Sequence, residues 1–93
     1  MIKGFKDKRA ARIFSGEFAK GLPAYIQQRA RQKLVLLNAA AVLQDLRSPP
    51  ANRLEPLRGE RLGQYSIRIN DQWRVCFRWE GNHAFDVEIA DYH

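Results

Sequence analysis

Three places in this 93-residue chain bring together side chains that could move protons or hold charge. The first is the run Asp91-Tyr92-His93, where a carboxylate, a phenol and an imidazole are adjacent. The chain's own carboxylate on His93 favours the imidazolium. The second is Asn52 to Arg61, in which Arg53, Glu55, Arg58, Glu60 and Arg61 mix acids and bases. By spacing alone this reads first as a solvated loop, whose exposed ion pairs are worth little. The third is Arg74-Val75-Cys76-Phe77-Arg78. Arginines on either side could lower the thiol's pKa, against the plainer reading of a passive cysteine in a strand.

Other chemistries lack their parts. The two histidines, His83 and His93, have no partner at metal-ligand spacing. The glycines form neither a phosphate loop nor a dinucleotide fingerprint. A single cysteine excludes an internal disulfide and a cysteine-based zinc site. No apolar run reaches membrane-spanning length and no secretory leader is visible, so the expectation is a cytoplasmic protein with no membrane partner. The length fits one domain over residues 1–93, with little room for both a cofactor and a small-molecule substrate cavity. Sixteen Lys and Arg against ten Asp and Glu leave a net charge of +6 and a pI near 10.0. Such a balance suits a polyanionic partner, nucleic acid first and an acidic protein segment second, although many small domains are basic for solubility alone.

The elements that must position these groups follow from periodicity. Ile2 to Phe5 suits a short strand. Residues 7–16 suit a helix with Asp7 as N-cap and Gly16 just past its end, apolar along Ala10, Ile13 and Phe14, with Lys8, Arg9 and Arg12 outward. Pro23 opens a second helix at its first position. Ile26, Ala30, Leu34, Leu37 and Ala41 form its apolar stripe, and Gln27, Gln28, Arg31 and Gln32 face away. Residues 44–63, broken by Pro49, Pro50, Pro56, Gly59 and Gly63, read as mostly loop. Beyond them the pattern has period two: Tyr65, Ile67 and Ile69; Trp73, Val75, Phe77 and Trp79; Phe85, Val87 and Ile89. Because these positions are all odd, facing residues match only if each turn holds an odd number of residues. Three-residue turns then pair Arg68 with Arg74, Arg74 with Glu88 and Cys76 with Asp86. The predicted class is α+β: two N-terminal helices on a small, mainly antiparallel sheet that ends in a three-stranded meander. Its other face, carrying Ser66, Arg68, Arg74, Cys76, Arg78, Asp86 and Glu88, is open to water.

Arg58-Gly59, Gly63-Gln64-Tyr65-Ser66-Ile67-Arg68, Trp73-Arg74-Val75-Cys76-Phe77 and the closing Asp91-Tyr92-His93 carry a resemblance. With Ile2-Lys3-Gly4-Phe5-Lys6 and Gly21-Leu22-Pro23 they make essentially the whole chain resemble HigB, a toxin family of the RelE/ParE superfamily. The resemblance implies a ribosome-dependent endoribonuclease that cuts messenger RNA in the decoding site without metal or other cofactor. The RNA 2′-hydroxyl would attack the adjacent phosphate. It also implies a HigA-like helix-turn-helix antitoxin that binds operator DNA, which the toxin would meet only through that antitoxin.

Carried over by position, Asp91, Tyr92 and His93 match the family's C-terminal active-site group. Arg74 matches its phosphate-contacting strand arginine and Arg58 a basic loop position. Some members carry a catalytic histidine where this chain has Glu55, which leaves the acid and base roles open. His93 is expected as general acid or base, Asp91 as an orienting or proton-exchanging group, and Tyr92 as a stacking or hydrogen-bonding group. Arg68 and Arg78 would add charge, and Lys8, Arg9 and Arg12 a weaker contact to ribosomal RNA. If Arg74 faces Glu88, part of its charge is neutralised within the sheet. A ParE-like gyrase poison on the same fold, a non-catalytic nucleic-acid-binding module, and a passive basic domain that only binds its antitoxin are the alternatives.

Overall fold

The structure, a computed structural model, describes residues 1–91; Tyr92 and His93 lie outside the described residues. Helix α1 spans Lys8–Phe14, capped by the Asp7 carboxylate, which accepts from the Arg9 N–H. Gly16, at φ +88, takes the left-handed position that ends it. Helix α2 spans Ala24–Ala39 with Pro23 at its N-cap, one position earlier than expected. Strands β1 (Glu55–Pro56), β2 (Gln64–Arg68), β3 (Trp73–Glu80) and β4 (His83–Asp91) pair in that order, antiparallel throughout. Both helices lie on one face of this sheet. Ala10 and Ile13 of α1 and Ile26, Ala30, Leu34 and Leu37 of α2 pack with Ile67, Val75, Phe77, Val87 and Ile89. No described helix is long and apolar enough to cross a membrane.

Several expectations need correction. Ile2–Phe5 is not a strand of the sheet but makes two parallel bridges to β4, Ile2 to Ala84 and Phe5 to Val87. Ala41 lies beyond α2 and is exposed. Gln27 does not face away: it is buried, its Oε1 accepting from Ala19 N at 3.0 Å and its Nε2 donating to the carbonyls of Ala19 and Leu22 at 2.8 and 3.0 Å. An amide in a helix can satisfy a buried connecting loop in this way, and helical periodicity does not reveal it. The 44–63 segment is not mostly loop. It holds 3-10 turns at Leu43–Arg47, Pro50–Asn52 and Gly59–Arg61, and it supplies β1. Buried Asn52 ties it together, donating to the carbonyls of Leu46 and Ser48 and accepting from Lys33.

The first hairpin keeps its predicted register, with Arg68 opposite Arg74 and Ile69 N donating to Trp73 O at 2.9 Å. The second does not. Gly81 and Asn82, at φ +57 and +62, make a two-residue turn with Glu80 facing His83. Gly-Asn suits the left-handed pair that such a turn needs. An even turn reverses parity, and a bulge between Cys76 and Arg78 restores it, with Asp86 at φ +53 as the extra residue. Arg74 therefore faces Ala90, not Glu88, and Cys76 faces Glu88, not Asp86. Phe85 moves to the polar face, its ring 4.7 Å beneath the Arg78 guanidinium, while fully buried Ala84 takes the core position opposite Trp79.

Gln27→Leu would strand the Ala19 loop's buried backbone groups, at a cost of about 1–3 kcal/mol. Each kcal/mol lowers Tm by roughly 4–8 °C in a chain of this size. Gln28→Leu on the exposed side should stay within about 0.5 kcal/mol; thermal melts followed by circular dichroism check both. Burial alone would raise the Asp7 carboxyl's pKa, but hydrogen bonds from Arg9 and from the N–H groups of Ile89 and Arg9 hold it below the ordinary 3.8. A depressed folded pKa contributes stability above the unfolded value and loses it as pH falls through the folded one. The stability advantage over Asp7→Asn should thus be full at neutral pH and shrink below about pH 3.8, as denaturant melts across pH 2–7 would report.

Candidate functional site

The working face is built on one row of opposed residues. Glu55 faces Ser66, Ser66 faces Cys76 and Cys76 faces Glu88, so a carboxylate stands at each end of a line across all four strands. Two arginines serve those ends. Arg74, one step along β3 on the same face, donates from Nε to Ser66 Oγ at 2.7 Å and from Nη2 to the Arg53 carbonyl at 2.6 Å. Its Nη2 lies 3.8 Å from Glu55 Oε1. Arg61 reaches from the last 3-10 turn to Glu88 at 3.1 Å and to Gln64 at 3.2 Å, and Lys6 approaches Glu88 at 3.5 Å.

This face is not open to water as expected. Ser66 and Cys76 are fully buried and Arg74 is only 8% exposed, because the 53–61 segment folds back beside β2 and places Arg53, Glu55 and Arg61 over the row. Arg53 takes the left-handed conformation, φ +45, which presents its carbonyl to Arg74. A non-glycine residue held there stores local strain. Arg74 is thus partly neutralised, but by Glu55 and not by Glu88. The Glu55 side chain remains 45% exposed and, with Pro56, Leu57 and Arg58, lines a shallow cleft of about 390 Å³. Burial pushes the Cys76 thiol's pKa up; Glu88 and Glu55 push the same way, against Arg61 and Arg74. A buried, protonated thiol is a poor nucleophile.

The structure thus places Glu55 and Arg58 on one cleft, with buried Arg74 beside Glu55, and sets other expected residues apart. Arg68 turns to Asp71 and lines a separate cleft with Arg29 and Lys33. Arg78 lies four residues along β3 from Arg74 and pairs with Glu80 and Asp86. Asp91 stands opposite Trp73, on the helix-facing side of the sheet from the Arg74 face, and accepts from Gln72 at 3.2 Å. Tyr92 and His93 are outside the described residues. Lys8, Arg9 and Arg12 belong to the helical layer. Arg9 is held by Asp7, and Arg12 by Glu17 and the Phe18 carbonyl. Sequence reasoning marked Arg53 and Arg61 only as part of a mixed-charge run and Ser66 only as a polar-face residue, since no periodicity places a loop arginine over a strand. Among the described residues, no three His, Cys, Asp or Glu side chains converge as a metal would require.

A partly exposed carboxylate beside an immobilised guanidinium, with a second arginine on the rim, can bind an anion and exchange a proton next to it. Residues 3–93 match the family described as RelE-like toxin of type II toxin-antitoxin system HigB. Toxin HigB-1 of Vibrio cholerae is 41% identical over 90 residues, 96% of this chain and 95% of that protein. Endoribonuclease HigB of Proteus vulgaris is 31% identical over 93 residues, the whole of both chains. The fold is that of the crystal structure of YafQ from E. coli strain BL21(DE3), with a TM-score of 0.57 at 8% identity, over 98% of this chain and 93% of that one. The chain belongs to the HigB-like family of RelE-like toxins.

Proposed function

We propose that residues 1–93 form a single toxin domain, an endoribonuclease that inhibits translation by cutting messenger RNA on the ribosome. The observation that carries this reading is Glu55, which lines a cleft with Arg58 and pairs with the buried Arg74 behind it. The name of the Proteus vulgaris relative supports the reaction class.

Cleavage needs a base for the 2′-hydroxyl, an acid for the departing 5′-oxygen and cations for the charge that gathers on phosphorus. Glu55 takes the proton as the 2′-oxygen bonds to phosphorus. His93 gives one to the 5′-oxygen as its bond to phosphorus breaks, leaving a 2′,3′-cyclic phosphate. Arg58 contacts the phosphate from the rim. Arg74, fixed by Ser66 and Arg53 before substrate arrives, supplies positive charge that needs no reorganisation. Asp91, held by Gln72, orients the terminal segment, and Tyr92 stacks on or hydrogen-bonds the RNA. Arg68 and Arg78 add charge at a distance, and Lys8, Arg9 and Arg12 meet ribosomal RNA. The ribosome presents the strand, so the toxin itself can be small. The partner in the bacterial cytoplasm is a HigA-like helix-turn-helix antitoxin. The toxin has no small-molecule substrate and reaches operator DNA only through that antitoxin.

The test is induction of the chain without its antitoxin, with mapping of RNA ends in cells and in a translating extract. New ends at fixed codon phase, with 2′,3′-cyclic phosphates on the upstream fragments and none on untranslated RNA, are expected. Arg74→Ala should lower cleavage by about 10²–10³-fold, the scale of removing one preorganised donor. Glu55→Gln should also fall at least tenfold, while Cys76→Ser keeps most of its activity. Growth arrest with intact mRNA and inhibited gyrase supercoiling would overturn the nuclease in favour of the ParE-like reading. Greater damage from Cys76→Ser than from Arg74→Ala would overturn the residue roles.

A further inference from the structure

The sequence holds no acid between Glu17 and Asp45, a stretch that includes the whole of α2 and carries Lys20, Arg29, Arg31 and Lys33. Folding concentrates part of that charge. Tyr25, Arg29 and Gln32 lie at i, i+4 and i+7, on one face of α2. They meet Ile69 and Asn70, at the β2–β3 turn, across a cleft of about 440 Å³. A second cleft of about 250 Å³ shares Arg29, Gln32 and Ile69 with the first and continues to Lys33, Ala51 and Arg68. No acidic side chain lines either one; Asp71, whose side chain is almost fully exposed, pairs with Arg68 from outside the second. Arg29 is tied across the groove to the Ile69 carbonyl at 3.5 Å, and Lys33 to Asn52. Burial, then repulsion from Arg29 and Arg68, depresses the Lys33 ammonium's pKa, so these cations are assembled against their mutual cost. At the mouth stands Tyr25, 74% exposed, a large aromatic ring with little to pack on.

A cationic groove with an exposed aromatic at one end and side-chain amides along it is the arrangement that takes single-stranded nucleic acid. Bases stack on the ring and phosphates track the cations. We propose that this groove, with Tyr25 as stacking platform and Arg29, Lys33 and Arg68 as phosphate contacts, is an RNA-binding site separate from the Glu55–Arg74 cleft. The choice of RNA rests on the endoribonuclease reading. Arg68 faces Arg74 directly across β2 and β3, so one strand can lie in the groove and pass onto the working face. The groove then holds RNA flanking the scissile phosphate.

The probe is a fluorescein-labelled 12-nucleotide 2′-O-methyl uridine RNA, which has no 2′-hydroxyl to attack, titrated with the full chain and read by anisotropy. Tyr25→Ala should weaken binding roughly 5–150-fold, the range for losing one stacked base. Arg29→Ala with Lys33→Gln should also reduce the slope of log K against log salt by about 1.4, two single-strand phosphate contacts. Arg31→Ala, on the opposite side of α2 beside Gly16, should bind within about twofold of the parent chain. Circular dichroism verifies that each variant is folded. The proposal is overturned if the parent does not bind, if the groove variants bind as the parent does, or if Arg31→Ala loses as much. Because the probe cannot be cut, groove-dependent binding without cyclic-phosphate ends in the mapping experiment sinks the nuclease reading alone. Cleavage with groove-independent binding sinks the groove alone.

Discussion

A guanidinium taken out of water is expensive unless its donors are met, and the working face is organised around meeting those of Arg74. At 8% exposure it draws partners from two segments among the described residues, β2 and the 53–61 segment. Ser66 comes from the neighbouring strand, the Arg53 carbonyl from a residue held in the left-handed region, and Glu55 from a strand of only two residues. Each demand constrains the chain elsewhere. Glu55 must pair opposite Ser66 for its carboxylate to reach Arg74, so the 53–61 segment must fold back along β2. Once there, it also lays Arg61 over Glu88 and seals Cys76 beneath. A carboxylate that neutralises a buried arginine thus also opens to solvent on the cleft.

The second constraint is parity. Gly81-Asn82 favours a two-residue turn, which would put the whole of β4 on the wrong face. The bulge at Asp86 absorbs the difference in one residue, and aspartate accepts the left-handed conformation better than most. The consequences differ on either side of it. Before the bulge, Phe85 packs under Arg78 and Ala84 fills the core. After it, Val87 and Ile89 point at the helices and Glu88 completes the row opposite Cys76. The same kink divides the contact with the N-terminal segment into two bridges.

The chain's positive charge is not one undifferentiated field. Arg9, Arg12, Arg61 and Arg78 are each paired with local acids or carbonyls. Arg58 opens on the cleft beside Glu55, while Arg29 and Lys33 line a groove without acids. Net charge predicts attraction to a polyanion in general. Only the distribution of counter-charges says where on the surface that attraction is unspent.

What the sequence by itself determined is whatever depends on period and on local chemistry. The apolar stripe of α2, the Asp7 cap, the three strands of the meander and the first hairpin's register were readable because each is set by neighbours a few residues away. So was the prominence of Glu55, Arg58 and Arg74, from the motifs of the resemblance, though not their juxtaposition. What only the tertiary structure decided involves groups distant in sequence. Gln27 turned inward because a loop eight residues earlier needed its amide. Glu55 became a strand residue because β2 offered an unpaired edge, and Arg74 faced Ala90 because a turn and a bulge had to agree. Burial of a polar group is a demand that any segment of the chain can answer, and which one does is settled only when the segments meet.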